Sequence, residues 1–304
     1  LANILIIGSQ GFIGTQLVKH FSAAGYAVTG CDIVEAPDDQ YHYHKLSVFS
    51  PDFETLFAET TFDCCINAAG SGNVGYSVIH PQSDFEVNTA AVARVLDTIR
   101  KQQPACRFLH ISSAAVYGNP SVLPVHEEAV PAPLSPYGYH KLMSETICRE
   151  YAAIYGLSIA VMRPFSVFGN GLRKQLLWDI CQKLQQSDTI QLFGTGNECR
   201  DFIHISDFVT ATACIVEKSP FELNVYNVAS GHSVSIKQVA VVFENTIAGK
   251  KILFSGETKQ GDPDKWQADI TALKSIGFNT TTDFEHCVKG YILWHREQSG
   301  KKKG

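Results

Sequence analysis

No Cys-x-x-Cys pair occurs among the nine cysteines, and their number is odd. A disulfide framework or a thiolate zinc site is therefore not indicated, and no metal is expected. Several thiols lie inside apolar runs such as Phe62 to Asn67, which reads as buried, reduced sulfur in a cytoplasmic protein. A strong charge imbalance is absent too. The formal net charge of −5 over 304 residues gives no electrostatic reason to expect nucleic acid as a partner. No run approaches the roughly 18 apolar residues that a membrane span needs. Leu1-Ala2-Asn3 leads directly into a strand, so no signal peptide is expected. Neither repeats nor low-complexity segments interrupt the chain.

What is there is an alternation of short apolar runs with amphipathic stretches. Asn3 to Ile7 reads as a strand, Phe12 to Ala24 as a helix and Tyr26 to Ile33 as a strand. Asp52 to Glu59 follows as a helix, Phe62 to Ala68 as a strand, and Phe85 to Lys101 as a long helix. Phe108 to Ser112 and Leu157 to Arg163 supply two more strands, on either side of a helix from about Tyr137 to Tyr155. Such alternation predicts an α/β fold with a Rossmann-type, doubly wound parallel sheet. Beyond Pro164 the rhythm gives way to short strands, Gly-rich loops and helices including Lys174 to Gln186 and Ser235 to Ala248. Ser235 and Gln238 fit a capping box. The expected division is residues 1–163 as a dinucleotide-binding domain and 164–304 as mainly a smaller substrate-binding lobe, partly interleaved with the first.

The first strand ends in Gly8-Ser9-Gln10-Gly11-Phe12-Ile13-Gly14, a glycine turn opening a helix. Glycine permits positive φ and close backbone approach, and a helix N-terminus offers free N–H groups to a pyrophosphate. The spacing is one residue longer than G-x-G-x-x-G, so a tight turn without a ligand is the competing description. Asp32 lies 18 residues after Gly14, near the offset at which an acid meets the adenosine ribose. An acid there repels a 2′-phosphate, and residues 33–39 hold no Arg or Lys. NAD is thus favoured, with NADP possible; the plainer role for Asp32 is a turn cap.

Tyr137 and Lys141 stand four apart at a helix start and project from one face. A free phenol ionises near pH 10. A neighbouring ammonium, helped by an oxidised nicotinamide, favours the phenolate and makes it a usable base. Ser112 and Ser113 end the preceding strand, where either hydroxyl can orient a substrate oxygen. Singly, each residue is ordinary surface or turn chemistry; the order glycine turn, acid, Ser, Tyr-x-x-x-Lys is what points to a redox site.

On these motifs the chain resembles the extended short-chain dehydrogenase/reductases, the NAD-dependent epimerase/dehydratase family acting on nucleotide sugars. The resemblance runs from Ile4 to about Ile292 and includes Asn67-Ala68-Ala69-Gly70, Ser112-Ser113 through Tyr117-Gly118, Ser135-Pro136-Tyr137-Gly138, Arg163-Pro164 and Arg200-Asp201-Phe202. It implies Ser113, Tyr137 and Lys141 as catalytic residues. It places Gly8, Gly11, Phe12, Ile13, Gly14, Asp32, Ala69, Gly70 and Asn88 at the cofactor, with Lys141 also on the nicotinamide ribose. Ser71 and Asn73 fall in the substrate loop, and Arg173, Lys174 and Arg200 supply charge near a nucleotide diphosphate, with a solvated helix start as the competing description of Arg173-Lys174. Lys259 stands where many relatives carry an Arg; it keeps the charge but loses the bidentate fork. Phe193 either stacks on the base or, in the preferred description, is a buried core residue.

Family members share hydride exchange between sugar C4 and nicotinamide. Resembling dehydratases place an acidic pair after the catalytic Ser/Thr, whereas this chain has Ala114 and Ala115, so 4,6-dehydration is not expected. A nucleotide-sugar 4-epimerase is favoured, because Asp32 and the Gly70 to Ser77 loop resemble the epimerases. A 4-keto-6-deoxysugar reductase using NAD(P)H remains the alternative, and a cofactor-binding sensor a weaker one. Ser166 replaces a common Asn, and Lys45 a common adenine-contacting Asp. The resemblance also implies a homodimer pairing through the helices at Phe85 to Lys101 and Tyr137 to Tyr155.

Overall fold

Ile4 and Ile6 point into one apolar cluster and Leu5 and Ile7 into another. A strand whose alternate side chains are buried on both faces must lie inside a sheet covered on both sides. That strand is β1 (Asn3–Ile7) of a computed structural model describing residues 2–36, 41–47, 51–257 and 264–300. It is followed by β2 (Ala27–Asp32), β3 (His42–Lys45), β4 (Cys64–Asn67), β5 (Arg107–Ile111), β6 (Ile159–Pro164), β7 (Ser166–Phe168), β8 (Thr189–Leu192), β9 (Cys199–His204), β10 (Glu222–Val228), β11 (Ser233–Ser235) and β12 (Lys251–Phe254). The helices are α1 (Phe12–Ala23), α2 (Phe53–Glu59), α3 (Val74–Ile79), α4 (Pro81–Phe85), α5 (Ala91–Gln102), α6 (Pro136–Tyr155), α7 (Gln175–Gln186), α8 (Ile205–Lys218), α9 (Ile236–Thr246), α10 (Thr271–Ser275) and α11 (Phe284–Gly300).

Seven strands form the central sheet in the order β10-β6-β5-β4-β1-β2-β3, every neighbouring pair parallel. Leu17, Val18 and Phe21 of α1 and Phe208 and Ile215 of α8 cover one face. Phe53 and Phe57 of α2 and Val92, Val95, Leu96 and Ile99 of α5, at helical spacing, cover the other. The chain order reverses at β1, which pairs with β2 on one side and β4 on the other. This is the switch point where an open α/β sheet leaves a crevice at its carboxyl ends.

A third cluster joins Leu177, Ile180 and Leu184 of α7 to Val239 and Phe243 of α9 and Tyr291 and Ile292 of α11. Ser235 does cap α9, and Gln238 returns the bond in a capping box. The segment after residue 164 also gives back β10 to the central sheet and α8 to its face. The long helix expected over Phe85 to Lys101 is interrupted: α4 and α5 are joined by a π-helical turn, Glu86–Ala90. Among the described residues, no helix is long and apolar enough to cross a membrane.

Candidate active site

Because β1, β2, β4, β5 and β6 run parallel, the segments leaving their C-terminal ends meet along one edge of the sheet. Those segments are the glycine turn, Asp32, the Ala68–Asn73 loop and Ser112–Ser113. Of the turn glycines Gly8 has a positive φ, +81°. Gly14 is needed for contact: a Cβ there would lie 2.0 Å from the Gly8 carbonyl oxygen. Gly11, at φ −69°, is the N-cap of α1 and supplies no side-chain cap. The N–H groups of Phe12, Ile13 and Gly14, the first three of α1, thus have no intrahelical partner, which leaves them able to receive an anion.

Asp32 closes β2 with its carboxylate bound to the turn. Gln10 N–H donates to Oδ2 at 2.9 Å and Ile33 N–H to Oδ1 at 2.7 Å. These are the bonds of the turn cap, and each oxygen keeps a lone pair with which it could still accept from a ligand. Tyr41, unremarked in the sequence, completes this wall. Its hydroxyl accepts from Gln10 Nε2 at 2.5 Å and donates to Ser9 Oγ at 3.2 Å. Lys45 is an exposed residue paired with Glu35.

At the other end of the crevice, Gly70 has φ +132°, and a Cβ there would stand 2.5 Å from Asn88 Oδ1 and 3.5 Å from Lys141 Nζ. Asn88, carried on the π turn, donates through Nδ2 to the Ser71 carbonyl at 3.2 Å, while its buried Oδ1 has no hydrogen-bond partner among the described residues. Lys141 Nζ donates to the Ile111 carbonyl at 2.9 Å. Ala69 lies at the mouth of this hollow, its N–H bound to Asn67 Oδ1 at 3.3 Å. A glycine notch, an orphaned amide oxygen and a buried ammonium with donors to spare fit a ribose carrying two hydroxyls.

Ser135 caps α6 and Pro136 occupies its first turn, which fixes Tyr137 at the helix start. Its N–H donates to Ser77 Oγ at 3.1 Å, tying the helix to α3. Ser113 caps a 3₁₀ turn, Ala114–Tyr117, its Oγ accepting from Ala115 N–H at 3.1 Å, and its hydroxyl favours ionisation of the Tyr137 phenol. Ser112 takes no part: it is buried and its hydroxyl donates to Glu145 Oε1 at 2.6 Å. Burial, with the Asp84 carboxylate adding to it, pushes Tyr137 up to about 12 against the opposing pull of Ser113. Burial also brings Lys141 down to about 8, although Asp84 and Glu145 work the other way. Burial therefore leaves Tyr137 a phenol at neutral pH in the protein alone, the state from which the positive charge of a lysine and an oxidised nicotinamide would have to move it.

Beneath the pair lies a network that sequence inspection reduced to an Arg-Pro motif. Arg163 donates to Glu145 through Nε (3.0 Å) and Nη2 (2.6 Å), and through Nη1 to Tyr117 Oη (2.7 Å) and the Glu127 carbonyl (2.8 Å).

The residues assigned to a substrate are less tightly gathered. Asn73 caps α3, accepting from Tyr76 N–H at 3.0 Å. Lys174, the N-cap of α7, reaches within 3.6 Å of the Cβ position of Gly72 and so faces the Ser71–Asn73 loop across the crevice. Arg173 beside it is exposed. Arg200 lies on β9, donates to the Cys199 carbonyl at 2.9 Å and sits 5.8 Å from the Trp266 ring centre. Lys259 lies outside the described residues. Phe193 is 63% exposed, so its description as a core residue is wrong; the β8 end that carries it lies at the surface. A groove of about 520 Å³ lined by Gln16, Lys19, His20, His204 and Thr210 contains none of the crevice residues.

The sequence model of the NAD dependent epimerase/dehydratase family matches residues 4–229, a span that runs from β1 through the glycine turn, Ser113, Tyr137 and Lys141 to the last strand of the sheet. The chain belongs to that family. Similar curated proteins include a UDP-glucuronate 4-epimerase of Thermodesulfobacterium geofontis, 26% identical with 96% of each chain covered. Another is UDP-glucose 4-epimerase 4 of Oryza sativa subsp. japonica, 28% identical over 85% of this chain and 80% of the relative. Among solved structures, MoeE5 in complex with UDP-glucuronic acid and NAD superposes with a TM-score of 0.89 at 25% identity, covering 98% of this chain and all of the other. The family is thus that of NAD-dependent enzymes of nucleotide-sugar chemistry.

Proposed function

We propose that this chain is an NAD-dependent nucleotide-sugar epimerase that inverts the sugar at C4 through a transient 4-keto intermediate. The observation that carries the reading is the convergence of Ser113, Tyr137 and Lys141 with the Gly70–Asn88 notch at one end of a crevice whose other end is a glycine turn. The names of the relatives supply the sugar chemistry.

The amides of Phe12, Ile13 and Gly14 hold the pyrophosphate, Asp32 takes the adenosine ribose hydroxyls, and Asn88 and Lys141 take the nicotinamide ribose against Ala69 and Gly70. When bound, NAD supplies the acceptor and then the donor of one hydride. Ser113 Oγ orients the C4 hydroxyl, and Tyr137 Oη removes its proton and later returns it. With Tyr137 pushed up to about 12, that removal requires positive charge beside the phenol, which Lys141 and an oxidised nicotinamide provide together. Ser71 and Asn73 border the sugar; Arg173, Lys174, Arg200 and Lys259 answer the diphosphate. Ala114 and Ala115, in the turn after Ser113, have no proton to exchange, so the reading excludes 4,6-dehydration. The active form is read as a homodimer, with exposed Phe85, Val87, Tyr139 and Met143 on the pairing helices.

The purified protein is denatured and its released nucleotide identified, and the native protein is incubated with UDP-hexoses and UDP-uronic acids, with products followed by NMR. Stoichiometric NAD⁺ and a C4 epimer are expected. An empty site that takes up NADPH and consumes a 4-keto sugar would replace the reading by a reductase; cofactor binding without any turnover would end it.

A further inference from the structure

The carboxylate of Asp84 is completely buried at the end of α4. Its Oδ2 meets His140 Nδ1 at 2.6 Å, and Oδ1 has no hydrogen-bond partner among the described residues. A buried carboxylate is costly unless cations or donors surround it, and a purely structural aspartate would use both oxygens. His140 sits between Tyr137 and Lys141 in α6. It is itself fixed: Thr89 Oγ1 donates to its carbonyl at 2.9 Å, and its ring packs edge-on against Phe85 with centroids 5.6 Å apart. The other carboxylate near Lys141, Glu145, is already matched by Arg163. Among the described residues Asp84 has no guanidinium partner; it stands four residues before Asn88, whose Oδ1 borders the Gly70 notch together with Lys141 Nζ, and its charge bears on Tyr137 and Lys141.

We propose that Asp84 and His140 form a positioning pair for the proton-transfer groups, a buried countercharge tethered to α6 that keeps Lys141 an ammonium beside Tyr137. The proposal rests on Tyr137 and Lys141 being the groups that handle the proton. Without a nearby anion, an ammonium buried this deeply would shed its proton and lose its grip on the ribose and its support for the phenolate. The other titratable groups around the pair are otherwise occupied. His110 on β5 is held neutral by burial with Nε2 on Ser144 Oγ, and Cys148 of α6 is kept a thiol by burial. Glu86 on the π turn pairs with Arg94, and Tyr76 and His80 on the α3 side are exposed.

The test is a pH titration of the full-length protein labelled with [13Cε]lysine, the Lys141 resonance being assigned by its loss in Lys141→Met. Nucleotide content is matched between variants. The wild-type midpoint is expected near pH 8. Asp84→Asn should lower it by about one unit and Asp84→Glu should restore it; an unmoved midpoint in a folded Asp84→Asn protein overturns the proposal. Should Asp84→Asn not fold, His140→Phe takes its place: a carboxylate without its tether should hold the Lys141 proton less well and the midpoint should fall, and an unchanged or raised one overturns the proposal equally. No substrate enters this measurement, so its failure is distinct from a failure of the epimerase reading, which the product analysis decides.

Discussion

Glu145→Gln removes one charge from the network under the active site and leaves its shape nearly intact. In the native protein both carboxylate oxygens are engaged, Oε1 by Arg163 Nε and Ser112 Oγ and Oε2 by Arg163 Nη2, and Arg163 and Glu145 are each about 4% exposed. An amide keeps one acceptor, so the guanidinium retains Tyr117 and the Glu127 carbonyl but loses its counter-ion in a buried site. Removing one partner of such a pair costs about 3–5 kcal/mol. An unfolding entropy of about 2.1 cal/mol/K per residue gives about 640 cal/mol/K for 304 residues. The melting temperature is then expected to fall by about 6 °C for a 4 kcal/mol loss. Glu145 also ties α6, the helix of Tyr137, to Ser112 beside Ser113, so turnover should fall with stability. The assay is scanning calorimetry at pH 7, with Glu285→Gln, which touches an exposed pair with Lys289, as an unmoved control. A Glu145→Gln protein melting within about 1 °C of wild type would refute the claim that this ion pair stabilises the site.

Tyr137→Phe should abolish turnover while nucleotide content and melting temperature stay near wild type; a collapsed fold would instead mark the tyrosine as structural. Lys141 is held at about 8 in the folded protein against 10.5 unfolded, so its buried charge costs about 3 kcal/mol at pH 7. Between about pH 8 and 10.5 the unfolded chain binds the extra proton, and wild-type stability from this group rises with pH. Lys141→Met should therefore melt higher than wild type at pH 7, by a margin that shrinks over that window; a pH-independent margin refutes the assignment. Gly14→Ala would drive a methyl to 2.0 Å from the Gly8 carbonyl, so the purified protein should carry no bound nucleotide by absorbance. Light scattering should report a dimer for the wild type, with Tyr139→Glu and Met143→Glu shifting it toward monomer.

Much of the site was legible because it is written in local order. The glycine turn directly follows an apolar run, Tyr137 and Lys141 share one helix face, and Ser113 ends a strand. Parallel strands carry all three to the same edge of the sheet. Tyr41, Glu145 with Arg163, and Asp84 with His140 were not legible, because each pair joins elements far apart in the chain and nothing in the spacing of either partner marks the other. The resemblance already pointed to Ser113 over Ser112, and the position of Glu145 adds the physical reason by engaging the Ser112 hydroxyl.

By itself the sequence determined most strands and helices of the first 163 residues nearly to their ends, though not β3, α3 or the start of α4, since burial on alternate or helical positions is a local property of the chain. Only the tertiary structure decided that the residues after Pro164 return β10 and α8 to the first core, and that the helix after Pro81 opens into a π turn at Asn88. It alone decided how the two proton-handling groups are charged. Their ionisation depends on burial and on a distant carboxylate, and neither exists until the chain has closed around them.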